Sequence, residues 1–384
     1  MKYIAKMMLA LLASVTLVVP AYAWDFSASG SASSGWKQTT TKPATGDSTT
    51  SANFSGSSGG VSLKSAHTDG DKSLTLTYSA DVDTDGTQST GSSDTAGSAG
   101  LDQTLSLSGS TKVGKWTSSA TASQSLMEDG VTSKISGDDS AVITITDGSM
   151  TYKLGSAAHL STAEKTAGTT AAGAQDAEAR VDSFQGFSVG MPVGPGALTV
   201  AVDMNSGTAS TLMGDKSVAI ACGGQMTGFG FNFAGNVGAD LSLTYATGSS
   251  AASKTNCTGD NASNSASANT MGLGVAVPMG TITLALDYES TVTNSKVGTT
   301  ETKVTSGGYE VSASIGGIAD GTVVVNISST SSKTGDADAA VTAGTELGWK
   351  TTIGATGFEI AYGSAAVQDG ATTTELEIEM TLSF

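Results

Sequence analysis

Near the end of the sequence, Glu375, Glu377 and Glu379 alternate with Leu376, Ile378 and Met380. On an extended strand that period puts all three carboxylates on one face and only hydrocarbon on the other. Asp287 and Glu289 share a face in the same way, and Asp203, Asp240, Glu310 and Glu359 fall on the polar faces of other alternating segments. The bases expected on those faces are Lys153, Lys350, Lys64 and Lys115, so nine acids meet about four bases. If these faces surround water, such rows of carboxylates favour cations. Acids near a rim would select weakly, because charges are screened within about 8 Å at physiological salt.

Other chemistry finds less support. His67 and His159 lie far apart, with His67 expected in a turn, and no G-x-S-x-G elbow accompanies the abundant serines. No enzyme activity and no cofactor are expected. Asp81 to Gly86 match the start of a calcium loop, D-x-D-x-D-G, but the twelfth position is Ser92 where a bidentate Glu belongs. A solvated acidic loop is the better reading, and no metal is expected. Neither Cys222 nor Cys257 has a neighbouring partner ligand for zinc. In an exported chain the even count suggests one disulfide between two loops, with two unconnected thiols as the alternative.

The first residues, MKYIAKMMLALLASVTLVVPAYA, point to export. Lys2 and Lys6 form a positive start, Met7 to Val19 an apolar core, and Ala21-Tyr22-Ala23 a cleavage site, as in a secretory signal peptide over 1–23. The mature domain is then 24–384. Losing two of 18 bases leaves 16 against 35 acids, a net charge of −19. Nucleic acid is excluded as a partner, since phosphate binding needs clustered Lys and Arg. No later stretch has the ~18 consecutive apolar residues of a transmembrane helix.

The acids must therefore be positioned by strands. Period-2 alternation recurs after Trp24, as in LTLTYSADV from Leu74, LTVAVDM from Leu198 and TITLALDYE from Thr281. Eighteen such segments can be counted, from 24–37 to 371–384, with sixteen as the alternative because Gly59-Gly60 interrupts the first hairpin. Segments 281–291 and 306–316 are read as strands separated by a loop. Short connections such as VPMG (277–280) and VGPG (193–196) alternate with long polar ones such as 83–100 and 248–270. Amphipathic strands with short turns at one end and long loops at the other predict an all-β, transmembrane antiparallel barrel of the outer membrane. The last strand must then close the ring, because an unpaired edge in lipid leaves backbone groups unsatisfied. Trp24, Trp36, Trp116 and Trp349 are expected at the membrane interface. The chief rival is a secreted β-solenoid or surface-layer protein of similar composition, which would show a fixed repeat; the spacing here varies.

The stretch AVITITDGSMTYKLGSAAHLSTAEKTAG, from Ala141, resembles the strand–turn–strand that feeds the constriction loop of trimeric Gram-negative porins. ARVDSFQGFSVGMPVG resembles the return strand that follows it. The resemblance implies a loop over 156–182 folded into the barrel, with Glu164, Asp176, Glu178 and Arg180 at the constriction. Arg180 is the only arginine, a departure from the arginine cluster common in that family. The resemblance also implies a homotrimer, contact with outer-membrane lipid and lipopolysaccharide, and recognition of Phe384 by the barrel-assembly machinery. A narrower alternative, a sugar channel with a stacked aromatic slide, ranks below the general porin because few aromatics fall on the lumen faces.

Overall fold

In the computed structural model, residues 24–83, 100–132 (except 129–130), 140–168, 184–203, 206–207, 224–251 and 264–384 are described. Two-residue stretches at Val131–Thr132 and Ser206–Gly207 extend neighbouring strands. The other eighteen strands make one antiparallel sheet. They are β1 (Trp24–Lys42), β2 (Thr49–Asp69), β3 (Lys72–Asp83), β4 (Gly100–Val113), β5 (Trp116–Glu128) and β6 (Ser140–Thr146). Next come β7 (Thr151–Ala157), β8 (Phe184–Val193), β9 (Gly196–Asp203), β10 (Gly224–Asn236), β11 (Asp240–Ala251) and β12 (Ser265–Met279). The last six are β13 (Ile282–Val297), β14 (Thr300–Ile318), β15 (Gly321–Thr334), β16 (Ala340–Ile353), β17 (Thr356–Val367) and β18 (Thr372–Ser383). The count is the expected eighteen, and β2 runs unbroken through Gly59-Gly60.

The ring closes where β18 pairs with β1, from Ser31↔Ser383 to Lys42↔Thr372. Phe384 adds a reciprocal pair, donating to Gly30 O at 2.9 Å and accepting from Gly30 N at 2.7 Å. Closure leaves no long open edge, which the interior of a bilayer requires.

One end of the barrel carries tight turns, such as Gly114-Lys115, Gly280-Thr281 and Gly354-Ala355. The opposite end carries the longer connections, including 84–99, 158–183 and 204–223. Here the structure corrects one expectation. Strands β13 and β14 continue to Val297 and back from Thr300, joined by a two-residue turn where a longer loop was anticipated. The backbone pairing persists while the outward residues change from Leu286 and Tyr288 to Asn294 and Lys296, as the hairpin rises above the apolar zone.

The alternation is inside-out compared with a soluble sheet. Leu284, Leu286 and Tyr288 point outward at 43%, 39% and 40% exposure, while Ala285 and Asp287 between them are buried. Each large apolar side chain left in water forgoes ~1.5–3 kcal/mol, so a belt of this extent is stable only against hydrocarbon. Aromatic residues edge the belt. Tyr288 is the cross-strand partner of Tyr309, and Phe231 and Tyr245 meet at 5.7 Å. At the tight-turn end Trp349 meets Phe358 at 5.9 Å. His67, expected in a turn, lies in β2 and stacks on Trp24 at 5.2 Å. Rings at both edges suit an interface that is half apolar and half wet.

Candidate functional site

The chain leaving β7 does not stay outside. Residues 158–168 turn into the barrel and run as a strap across the inner wall from β8 to β16. At its root, His159 is buried beside Phe184, ring centroids 4.7 Å apart. His159 Nε2–H donates to Gly155 O at 2.9 Å, so Nδ1 accepts from Ser188 Oγ at 3.0 Å. Burial pushes the His159 pKa down, with the adjacent Lys153 acting in the same direction and the Gly155 carbonyl and Asp203 acting against it. The neutral ring is the form that fits. Both ring nitrogens are engaged and Ser188 is itself buried, so this serine–histidine contact is a structural anchor and not a nucleophile pair. Leu160 packs with Phe184, Ala201 and Ala246, the one apolar cluster on the inner face among the described residues.

Beyond Leu160 the wall holds the strap almost wholly by its backbone. The carbonyl of Ser161 accepts from Thr244 Oγ1 at 2.8 Å and from Asn232 Nδ2 at 3.2 Å. The amides of Lys165 and Thr166 donate to the Asp287 carboxylate at 2.9 and 2.7 Å, and the Thr166 hydroxyl adds a bond at 2.6 Å. Ala167 donates to Ser312 Oγ at 2.9 Å and accepts from Asn326, which also donates to Glu310. Lys350 Nζ reaches Gly168 O at 2.7 Å. Two wall glycines make room. A Cβ on Gly230 would lie 2.5 Å from Leu160 Cδ1, and one on Gly274 would lie 2.5 Å from the Ala163 carbonyl. Glycine inside a strand marks such a close approach.

The structure puts the expected acids on the inner face but divides their roles. Asp203, Asp287 and Glu310 are buried, the last two where the strap crosses the wall. Glu289 sits two residues further along β13 and is half-buried. Asp240 is exposed at the tight-turn mouth and accepts from Asn236 at 2.6 Å. Past the strap's described end the wall is acidic. Glu359 pairs with Lys350 at 3.4 Å and is the cross-strand neighbour of Glu379. Glu375 takes Lys37 at 3.4 Å and Thr39 at 3.3 Å, and Glu377 is buried beside it on β18. Lys153 lies on the inner face of β7, half-buried, and Glu164 is exposed on the strap. Lys115 belongs to a tight turn at the rim, where it reaches Asp147 at 3.1 Å. Asp176, Glu178, Arg180, Cys222 and Cys257 lie outside the described residues.

Several inner-face groups were missed in the sequence: Lys37, Glu346, Asn232 and Asn326. Glu346 and Lys37 were legible, since TELGWK puts Glu346 on the face of Lys350 and an outward Trp36 turns Lys37 inward. Nothing local marks the two asparagines as strap holders. The remaining wall, β3 to β6, presents mostly hydroxyls, with Ser73–Ser110 at 2.7 Å and Ser106–Ser123 at 2.6 Å across strand pairs, together with the cross-strand acids Asp81 and Asp102. Apart from the cluster around Leu160 the described lumen is thus mainly polar, carries carboxylates on β17–β18 and on β3–β4, is narrowed by the strap, and shows no cluster of metal ligands among the described residues.

No protein-family model matches the chain, and no curated protein matches it. Solved structures do. An anion-selective porin from Comamonas acidovorans is 13% identical, with 94% of this chain and 100% of that chain covered at a TM-score of 0.52. The outer membrane channel DcaP of Acinetobacter baumannii is 11% identical, with 94% and 97% covered at 0.53. OpdL of Pseudomonas aeruginosa is 9% identical, with 94% and 99% covered at 0.53. At these identities the likeness speaks for the fold, a large barrel like those of Gram-negative outer membranes.

Proposed function

We propose that this chain is a passive porin of the outer membrane, a water-filled channel for small hydrophilic solutes and ions with a preference for cations. The observation that carries the reading is the strap, a loop held inside a closed barrel against a polar wall. A soluble barrel of this girth would fill its interior with apolar side chains, whereas here the large apolar residues face outward. The cation preference is supported by Glu359, Glu375, Glu377 and Glu379 on β17 and β18 with Asp81 and Asp102 on β3 and β4, set against Lys37, Lys64, Lys112 and Lys153 on the same uncovered wall, and by Glu164 on the strap. It differs in sign from the anion-selective porin of similar fold. A sugar-specific slide finds no row of aromatic side chains on the described inner face.

Assembly as a homotrimer is part of the proposal. Across β4 and β5 the outward face carries a patch of small residues, Gly109, Thr111, Ser118 and Ala120, between Leu107 and the Val113–Trp116 pair. Such a face is poor against hydrocarbon and suits close contact with another protein surface. Contact of the outward rim with lipopolysaccharide, and delivery by the assembly machinery through Phe384, complete the reading.

Liposome swelling tests the channel directly. Folded protein in vesicles should admit small neutral sugars and slow progressively with their size. Vesicles that stay impermeable to the smallest sugar would refute the channel and favour a structural role.

A further inference from the structure

The strap's hold is uneven. Ser312, Asn326 and Lys350 each contribute one bond to Ala167 or Gly168. Asp287, 1% exposed, receives two backbone amides and a hydroxyl at 2.6 to 2.9 Å. Bonds to an ionised acceptor are roughly twice as strong as neutral ones, and a buried carboxylate without such donors is strongly disfavoured. Gly274, the cross-strand partner of Asp287, leaves the space in which the Ala163 carbonyl and the Lys165 stem settle. The root at His159, Leu160 and Ser161 is anchored separately, on β8 to β11. The stretch from Thr162 to Gly168 therefore depends on the far anchor for its distance from the opposite wall.

We propose that Asp287 is a positioning residue for the eyelet, a wall carboxylate that sets the width of the passage by gripping the strap backbone at Lys165 and Thr166. The proposal rests on the channel reading for its consequence but not for its contact. Asp287 faces the strap and not the solute, so it is no part of the cation-attracting surface, although its type and register suggest otherwise. What it selects is size. Because the grip is mainly on backbone groups, the wall carries the specification of the strap's path, while Glu164 stays exposed.

Two variants approach the grip from opposite sides. Asp287→Asn is nearly isosteric and removes the charge and one acceptor. Thr166→Pro leaves the wall intact and removes an amide donor and the hydroxyl. Glu301→Gln, a rim substitution with the same charge change, serves as the comparison. Amide exchange at Lys165 in detergent-folded protein should accelerate at least about tenfold in both variants, the factor that ~1.4 kcal/mol represents, with Glu301→Gln unchanged. Single-channel conductance should rise, with noisier open states, in both variants and not in Glu301→Gln. Wild-type exchange and conductance in both variants would overturn the proposal. If exchange accelerates but no protein conducts, the grip stands and the channel reading falls. If only Thr166→Pro folds, its exchange and conductance decide the question alone.

Discussion

Gly274→Ala is the sharpest perturbation of the strap's seat. The added Cβ would lie 2.5 Å from the Ala163 carbonyl oxygen, 2.8 Å from Asp287 Oδ1 and 2.9 Å from Lys165 Cγ. An ordinary contact needs ~3.5 Å, so the strap must lift by about 1 Å. The obstacle is a backbone carbonyl, which no rotamer change can move aside. A lift of that size would stretch the 2.9 Å bond from Lys165 N to Asp287 toward 3.9 Å, beyond hydrogen-bond range. Overpacking of this kind costs ~1–3 kcal/mol, and each lost bond to a charged group ~1.5–3 kcal/mol. Either is enough to unseat the strap's middle, and neither disturbs the outward belt. Gly357→Ala is the matched comparison, since its Cβ would meet nothing nearer than Thr381 O at 3.7 Å. In planar bilayers Gly274→Ala should give larger, less uniform conductance steps, while Gly357→Ala should match wild type. Equal conductance in all three proteins would refute the claim that the strap rests on this wall and narrows the path.

Other outcomes follow from the same geometry. Glu377→Gln with Glu379→Gln should reduce cation preference while keeping the pore open, read as a reversal potential shifted toward zero. Burial holds His159 below its ordinary 6.5, so below that pH the unfolded chain binds a proton that the folded chain does not. Stability should be full above pH 6.5 and decline as pH falls through it; His159→Gln should flatten that part of the thermal-unfolding pH profile. The β14–β15 turn places Ala319 and Asp320 at φ of 49° and 58°, a conformation costing side-chain-bearing residues ~1–2 kcal/mol each. Ala319→Asn with Asp320→Gly should therefore raise thermal stability by about 1 kcal/mol, with conductance unchanged.

Much of the fold was legible in the sequence because a barrel in lipid has one strong rule. Outward positions that meet lipid favour apolar side chains while the inward ones are free to be polar, so TITLALDYE and TELEIEM announce their faces. The rule lapses where strands leave the hydrocarbon. Val292 to Thr305 stay paired, but Asn294, Lys296 and Lys303 no longer differ from a loop in hydropathy. The inward side of the acids was likewise readable, and the resemblance to porins led to the inward loop. Which acids face water was not readable. Asp287 meets the strap through residues about 120 positions earlier in the chain, bonded to backbone groups that every sequence possesses. Asn326 and Gly274 act at a similar remove. Only the path of the strap distinguishes a carboxylate that lines a passage from one that holds its wall.

The central claim is a water-filled path with a negative wall. Its most direct test is the reversal potential of purified, reconstituted protein in a planar bilayer under a KCl gradient. Stepwise conductance with a potential favouring K⁺ is the predicted result. A potential favouring Cl⁻ would contradict the charge reading, and silence from folded protein would contradict the channel itself.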